Sequence, residues 1–124
     1  MMNLVKEYFQ GIPQDKYGID LVKFEEMNIK GQLKGYILLD IREREKFNAF
    51  RIAGSINIPF REIGANLERI PKDQKIILIC NTGFTAAQTS SLLNLLGYQT
   101  WTLRDGIEGY IDIGGEVERT RLAA

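Results

Sequence analysis

Apolar positions change their spacing several times along the 124 residues. Two stretches, 36–40 (YILLD) and 75–79 (KIILI), are unbroken apolar runs bounded by charge. At that length they read as strands buried on both faces. The stretch 98–103 (YQTWTL) alternates more openly and reads as a third strand, and Ile56 centres a brief strand between Gly54 and Pro59. Helical spacing fills the intervals. Leu4, Val5, Tyr8 and Phe9 predict a short amphipathic helix over Met2 to Gln10, stopped by Gly11 and Pro13 and lying on the outside of the domain. Asp20 is placed to cap a second helix carrying Leu21, Phe24 and Met27, closed by Gly31 and Gly35. The stretch 42–50 reads as a helix burying Phe47 and Phe50, and 61–70 as another, ended by Pro71. Residues 85–96 put Ala86, Ser90 and Leu93 on one helical face with Gly97 at the C-terminal end. A last short helix starts at Gly106, and 116–124 is a polar surface tail.

Strands alternating with helices imply an α/β fold on a mainly parallel sheet with helices on both faces. No repeat or linker divides the chain, so it reads as one domain. It has a helical extension over 1–16, a core over 17–111 and a C-terminal tail over 112–124. Sites in such sheets lie at the carboxyl ends of the strands. Two strand ends carry chemistry, Asp40 and Cys80.

Composition narrows the chemistry. Sixteen Lys and Arg balance sixteen Asp and Glu, which weighs against nucleic acid or an anionic membrane as the main partner. There is no histidine, which removes the Ser-His-Asp arrangement and most zinc sites. Cys80 is the only cysteine, so no internal disulfide exists. The N-terminus lacks a basic segment followed by an apolar one. The expectation is a cytoplasmic location if the chain is complete and an extracytoplasmic one if a leader has been removed.

Cys80 opens the loop Asn81-Thr82-Gly83-Phe84-Thr85-Ala86 between a strand and a helix. Gly83 permits a tight turn. A curled loop would aim the N–H groups of Asn81 to Ala86 at the sulfur, an anion-binding nest at a helix N-terminus that stabilises a thiolate without histidine. Free cysteine is also among the most buried residue types, so a small core hydrophobe is the competing reading. Thr82 and Thr85 are loop hydrogen-bond donors or turn and capping residues, and Phe84 lines a pocket mouth or covers the loop. Asp40 is read as pairing with backbone or an arginine to fix the loops, ahead of a catalytic part. Arg42, Arg44, Arg51 and Arg104 are each read as solvated surface charge before being read as the cation the loop lacks.

Four ordered segments resemble the rhodanese-like family of sulfurtransferases over about Tyr17 to Gly109: LLDIREREKF, RIAGSINIPF, IILICNTGFTAAQTSSLLNLLGYQTWTL and RDGIEGY. The resemblance implies a five-stranded sheet and a catalytic Cys80. Its thiolate would take the outer sulfur of thiosulfate or a persulfide and pass it, as a Cys80 persulfide, to a thiol, cyanide or a protein acceptor. It implies substrate contacts from Asn81, Thr82, Gly83, Phe84, Thr85 and Ala86, supporting parts for Asp40 and Arg42, and no metal or organic cofactor. The expectation is also of a monomer, with no nucleic acid or membrane partner. The common family loop is Cys-x-x-Gly-x-Arg; here Thr85 stands at the arginine's place, in a Cys-x-Thr-Gly-x-Thr-Ala loop similar to that of a bacterial subgroup. Thiosulfate, a dianion, loses most by that change. The family's histidine, tryptophan and first paired glycine correspond to Arg51, Tyr110 and Asp105. The competing function is a non-enzymatic sulfur carrier, redox sensor or interaction module. A Cys-dependent phosphatase or arsenate reductase ranks lower, because that chemistry needs Cys-x5-Arg and the sixth residue after Cys80 is Ala86.

Overall fold

The two apolar runs lie side by side at the centre of the sheet in the computed structural model, which describes residues 1–120. Strands β2 (Tyr36–Asp40) and β5 (Lys75–Ile79) pair in parallel over their full length, with Asp40 opposite Ile79. β6 (Gln99–Leu103) joins the far side of β5. Two-residue strands β1 (Gly18–Ile19) and β4 (Ile56–Asn57) close the edges, giving the order β1-β6-β5-β2-β4 with every pairing parallel. The α/β, five-stranded expectation holds.

Strand alternation sorts the core into two layers. On β5, Ile77 and Ile79 join Phe24, Met27, Ile107 and Tyr110 from α2 (Leu21–Ile29) and α5 (Gly106–Asp112). Ile76, Leu78 and Cys80 point the other way, into a layer with Ala86 and Leu93 of α4 (Phe84–Leu95) and Ile58, Ile63 and Ile70. Ile76 to Ile79 are fully buried, each contributing about 1.5–3 kcal/mol by burial. That commitment fixes register, and register decides which face Cys80 takes.

Local signals act as expected at several places. Asp20 Oδ1 accepts from the Lys23 N–H at 2.8 Å and caps α2. α1 (Met2–Gln10) lies on α4 through a Tyr8–Ser91 hydroxyl pair at 3.2 Å, leaving Leu4, Val5 and Phe9 exposed. Other readings need correction. The stretch 61–70 is not an α-helix but lies in two 3₁₀ turns, Phe60–Glu62 and Gly64–Arg69, broken by non-helical dihedrals at Asn66. α3 (Arg44–Ala49) stops before Phe50, and neither Phe47 nor Phe50 is fully buried. Guanidinium groups cover them instead: Arg51 lies 5.6 Å from the Phe47 ring, and Arg42 and Arg119 lie 4.9 and 5.4 Å from Phe50. The polar tail is on the surface but not free. β7 (Glu118–Arg119) pairs antiparallel with β3 (Phe50–Arg51), and the Thr120 hydroxyl donates to the Asn48 carbonyl. The tail's last part, 121–124, lies outside the described residues. No helix among the described residues is long and apolar enough to cross a membrane.

Candidate active site

Cys80 follows β5 at the carboxyl end of the sheet and is 3% exposed. The chain then turns through Gly83, whose φ of +100° is in the region that favours glycine. An added Cβ there would lie 3.1 Å from the Asp105 nitrogen. The turn brings two amides onto the sulfur: Gly83 N–H donates to Cys80 Sγ at 3.0 Å and Ala86 N–H at 3.4 Å. Ala86 lies in the first turn of α4, so the helix N-terminus adds its partial positive charge. Of the loop amides expected to aim at the sulfur, those of Gly83 and Ala86 do so.

A second element holds the loop from behind. The N-terminus of α5 donates two N–H groups into it, Ile107 to the Cys80 carbonyl at 2.9 Å and Glu108 to the Asn81 carbonyl at 3.1 Å. Such close approach excludes a side chain at Gly106, where a Cβ would meet the Asn81 oxygen at 2.4 Å and the Cys80 oxygen at 2.6 Å. Sequence reasoning did not single out Gly106, although its place just after the third long strand was the available signal. Asp105 before it adopts a left-handed φ of +65°.

In front of Cys80 lies a groove of about 470 Å³. Asn81 and Thr85 line it with Cys80, and the far wall comes from residues 41–45, Arg42 among them, and from Pro59 and the turn at Phe60–Glu62. The other loop residues are placed differently. Gly83 and Ala86 act through their amides. Thr82 lines a separate cavity of about 290 Å³ behind the loop, shared with Tyr17, Ser91 and Arg104. Phe84 is 71% exposed and is not part of the groove wall. Thr85 lies inside α4, and its carbonyl accepts from the Thr89 hydroxyl at 2.8 Å. The helix is capped by Gly83 instead.

Asp40 ends the neighbouring strand as a closed unit. Its carboxylate accepts from the Arg42 backbone N–H at 2.9 Å, from Nε at 3.0 and 3.1 Å and from Nη2 at 2.8 Å. Both side chains are fully buried. Arg42 Nη2 also donates to the Phe50 carbonyl at 2.6 Å. Among the described residues Arg42 Nη1 is the one buried side-chain nitrogen or oxygen without a hydrogen-bond partner; the guanidinium faces the Phe50 ring. Arg42 is thus not solvated surface charge: the pairing read for Asp40 draws it inside. Asn57 donates from Nδ2 to the Asp40 and Arg42 carbonyls at 2.9 and 3.0 Å, locking the turn between them.

The remaining cations separate. Arg44 is tied to both Glu62 oxygens at 3.0 and 3.2 Å, and Arg51 pairs with Glu118 at 3.4 Å. Arg104 faces the cavity behind the loop, and Cys80 is not among that cavity's lining residues. Arg61, which carries no local signal of a site, lines the Cys80 groove. A thiol with two amides on its sulfur, at the floor of an open groove, can act as a nucleophile and hold negative charge on what it captures.

Known proteins share sequence and fold with this chain. The chain is 33% identical over 79 residues to the uncharacterized protein YibN of Escherichia coli strain K12, matching 60% of this chain and 54% of YibN. The chain thus spans about half the length of that relative. It is 25% identical over 80 residues to the thiosulfate sulfurtransferase GlpE of Tolumonas auensis, matching 64% of this chain and 76% of GlpE. A crystal structure of a rhodanese-related protein from Thermoplasma volcanium superposes with a TM-score of 0.74 at 30% identity, covering 82% of this chain and 96% of that one. The family model of the Rhodanese-like domain matches residues 21–112, most of the described fold and all of the Cys80 loop, and the chain belongs to that family.

Proposed function

We propose that the protein is a sulfurtransferase working through a Cys80 persulfide. The observation that carries this reading is the pair of amides on Cys80 Sγ, at 3.0 and 3.4 Å, facing an open groove. The likeness to GlpE, a thiosulfate sulfurtransferase, supports it. In the first half-reaction the thiolate attacks the donor's outer sulfur. A Cys80–S bond forms, the donor's S–S bond breaks, and its electron pair leaves on sulfite or on the donor thiolate. In the second, an acceptor thiolate or cyanide attacks the outer sulfur of the persulfide and Cys80 thiolate is regenerated. No net oxidation occurs. The loop amides hold the charge on sulfur through both steps, a preorganised role that needs no histidine. No second cysteine among these 124 residues can take the sulfur from Cys80.

Thr85 lines the groove where a cationic loop side chain would neutralise a dianion. A thiol persulfide, with less charge on the transferred group, is therefore the favoured donor over thiosulfate. Steady-state kinetics with glutathione persulfide and cyanide test the reading. Parallel double-reciprocal lines, with turnover lost in Cys80→Ser, are expected. Undiminished turnover in Cys80→Ser would refute it, and persulfide formation without turnover would leave a sulfur carrier in place of an enzyme.

A further inference from the structure

The charges around Cys80 are not equally engaged. Arg42 lines the groove too, but its guanidinium is buried and paired with Asp40, and Arg44 is paired with Glu62. Arg61, Glu43 and Glu45 line the same groove, and among the described residues none of the three forms an ion pair. Their backbones are fixed. Arg61 sits in the turn Phe60–Glu62, anchored where Phe60 N–H donates to the Ile41 carbonyl at 2.9 Å and Glu62 N–H to the Pro59 carbonyl at 2.8 Å. Glu43 is the residue before α3 and Glu45 lies in its first turn. The groove that holds the nucleophile therefore presents one uncommitted cation and two uncommitted anions.

Such a surface discriminates by charge pattern. Thiosulfate brings a compact dianion to one free cation and two free anions, and like charges in a cleft repel. A donor carrying both signs can satisfy both. The groove, at about 470 Å³, has the size of a small-molecule site and exceeds what an inorganic ion fills. We infer that Arg61 and the Glu43–Glu45 pair select the sulfur donor, a low-molecular-weight thiol persulfide bearing a carboxylate for Arg61 and an ammonium for the glutamates. This rests on the sulfurtransferase reading above and adds the donor class and the residues that choose it. The chemistry is unchanged: the donor's S–S bond breaks, the Cys80–S bond forms, and the donor thiolate leaves with the electron pair.

Single-turnover persulfidation of Cys80 with three donors tests it: cysteine persulfide (both charges), N-acetylcysteine persulfide (carboxylate only) and cysteamine persulfide (ammonium only). Each rate constant is divided by that of the Glu43→Gln/Glu45→Gln/Arg61→Gln protein with the same donor, which removes the donor's intrinsic reactivity. The largest ratio is expected for cysteine persulfide. Arg61→Gln alone should slow the two carboxylate donors about tenfold, one charge-assisted contact, and leave cysteamine persulfide within about twofold. Glu43→Gln/Glu45→Gln should slow the two ammonium donors and spare N-acetylcysteine persulfide. Ratios equal across the three donors, or variants that move all donors alike, would overturn the inference while leaving the sulfurtransferase reading intact. Failure of every donor to persulfidate Cys80 would overturn both.

Discussion

The ends of β2 and β5 lie next to each other in the sheet, Asp40 opposite Ile79, yet they finish in opposite ways. At Asp40 the carboxylate is saturated from within: a backbone amide, Nε and Nη2 of Arg42 all converge on it, and no side chain of the pair reaches solvent. At Cys80 the sulfur receives two amides and then faces a groove. A carboxylate satisfied by its own neighbours holds structure, because it has no acceptor left over for a ligand. A nucleophile with donors arranged around it and one side open is built to accept something from outside. Alternation along the strands separates the two roles. Asp40 follows the parity of Leu38, in the layer with Phe24 and Tyr110, whereas Cys80 follows Leu78, in the layer with α4.

The sharpest way to break this contrast is to empty the closed end. Asp40→Ala leaves the Arg42 guanidinium buried without its counter-ion and should cost about 3–5 kcal/mol, read as a fall in the denaturation midpoint. Cys80→Ser, by comparison, should change stability by no more than about 1 kcal/mol while removing all sulfur transfer. Equal stability losses in the two variants would erase the distinction. Next in size is Gly106→Ala. Its methyl group overlaps the Cys80 and Asn81 carbonyls in a left-handed conformation, so about 2–4 kcal/mol is expected, with activity falling further than stability. A protein with native stability and native rate would show that α5 does not hold the loop.

Much of this contrast was legible before the fold was seen, for identifiable reasons. An unbroken run such as KIILI has only one way to hide, and the polar residues after it must be a strand end. Asp20, too, announced its helix, because a capping carboxylate acts within three residues. Tertiary partners were the blind spot. Arg42 looked like any surface arginine because its burial depends on Asp40, on the Phe50 carbonyl and on a ring that no local rule connects. The two-residue strands Gly18–Ile19 and Glu118–Arg119 are defined wholly by what they lie against. Arg61 sits in a turn anchored where Phe60 bonds to Ile41, a contact across nineteen positions of sequence.

Smaller effects sharpen the open end. Thr85→Arg puts a guanidinium on the groove wall and should raise use of thiosulfate relative to glutathione persulfide about tenfold; an unchanged ratio would mean that position 85 does not read donor charge. The mildest test is alkaline. Burial, with Glu25 nearby, pushes the Tyr110 hydroxyl up from 10.0 to about 12. The unfolded chain therefore loses this proton first as pH rises, so the stabilisation is complete below pH 10 and is lost toward pH 12. Tyr110→Phe should flatten that part of the stability profile, and an unaltered profile would assign the alkaline loss elsewhere.

On the proposed function, the open strand end carries sulfur covalently on Cys80. Its most direct test is the intact mass of the protein after brief exposure to glutathione persulfide and removal of excess donor. The expected result is a gain of about 32 Da, one sulfur, that cyanide removes and that Cys80→Ser never shows. No gain in the native protein, or the same gain in Cys80→Ser, would contradict it.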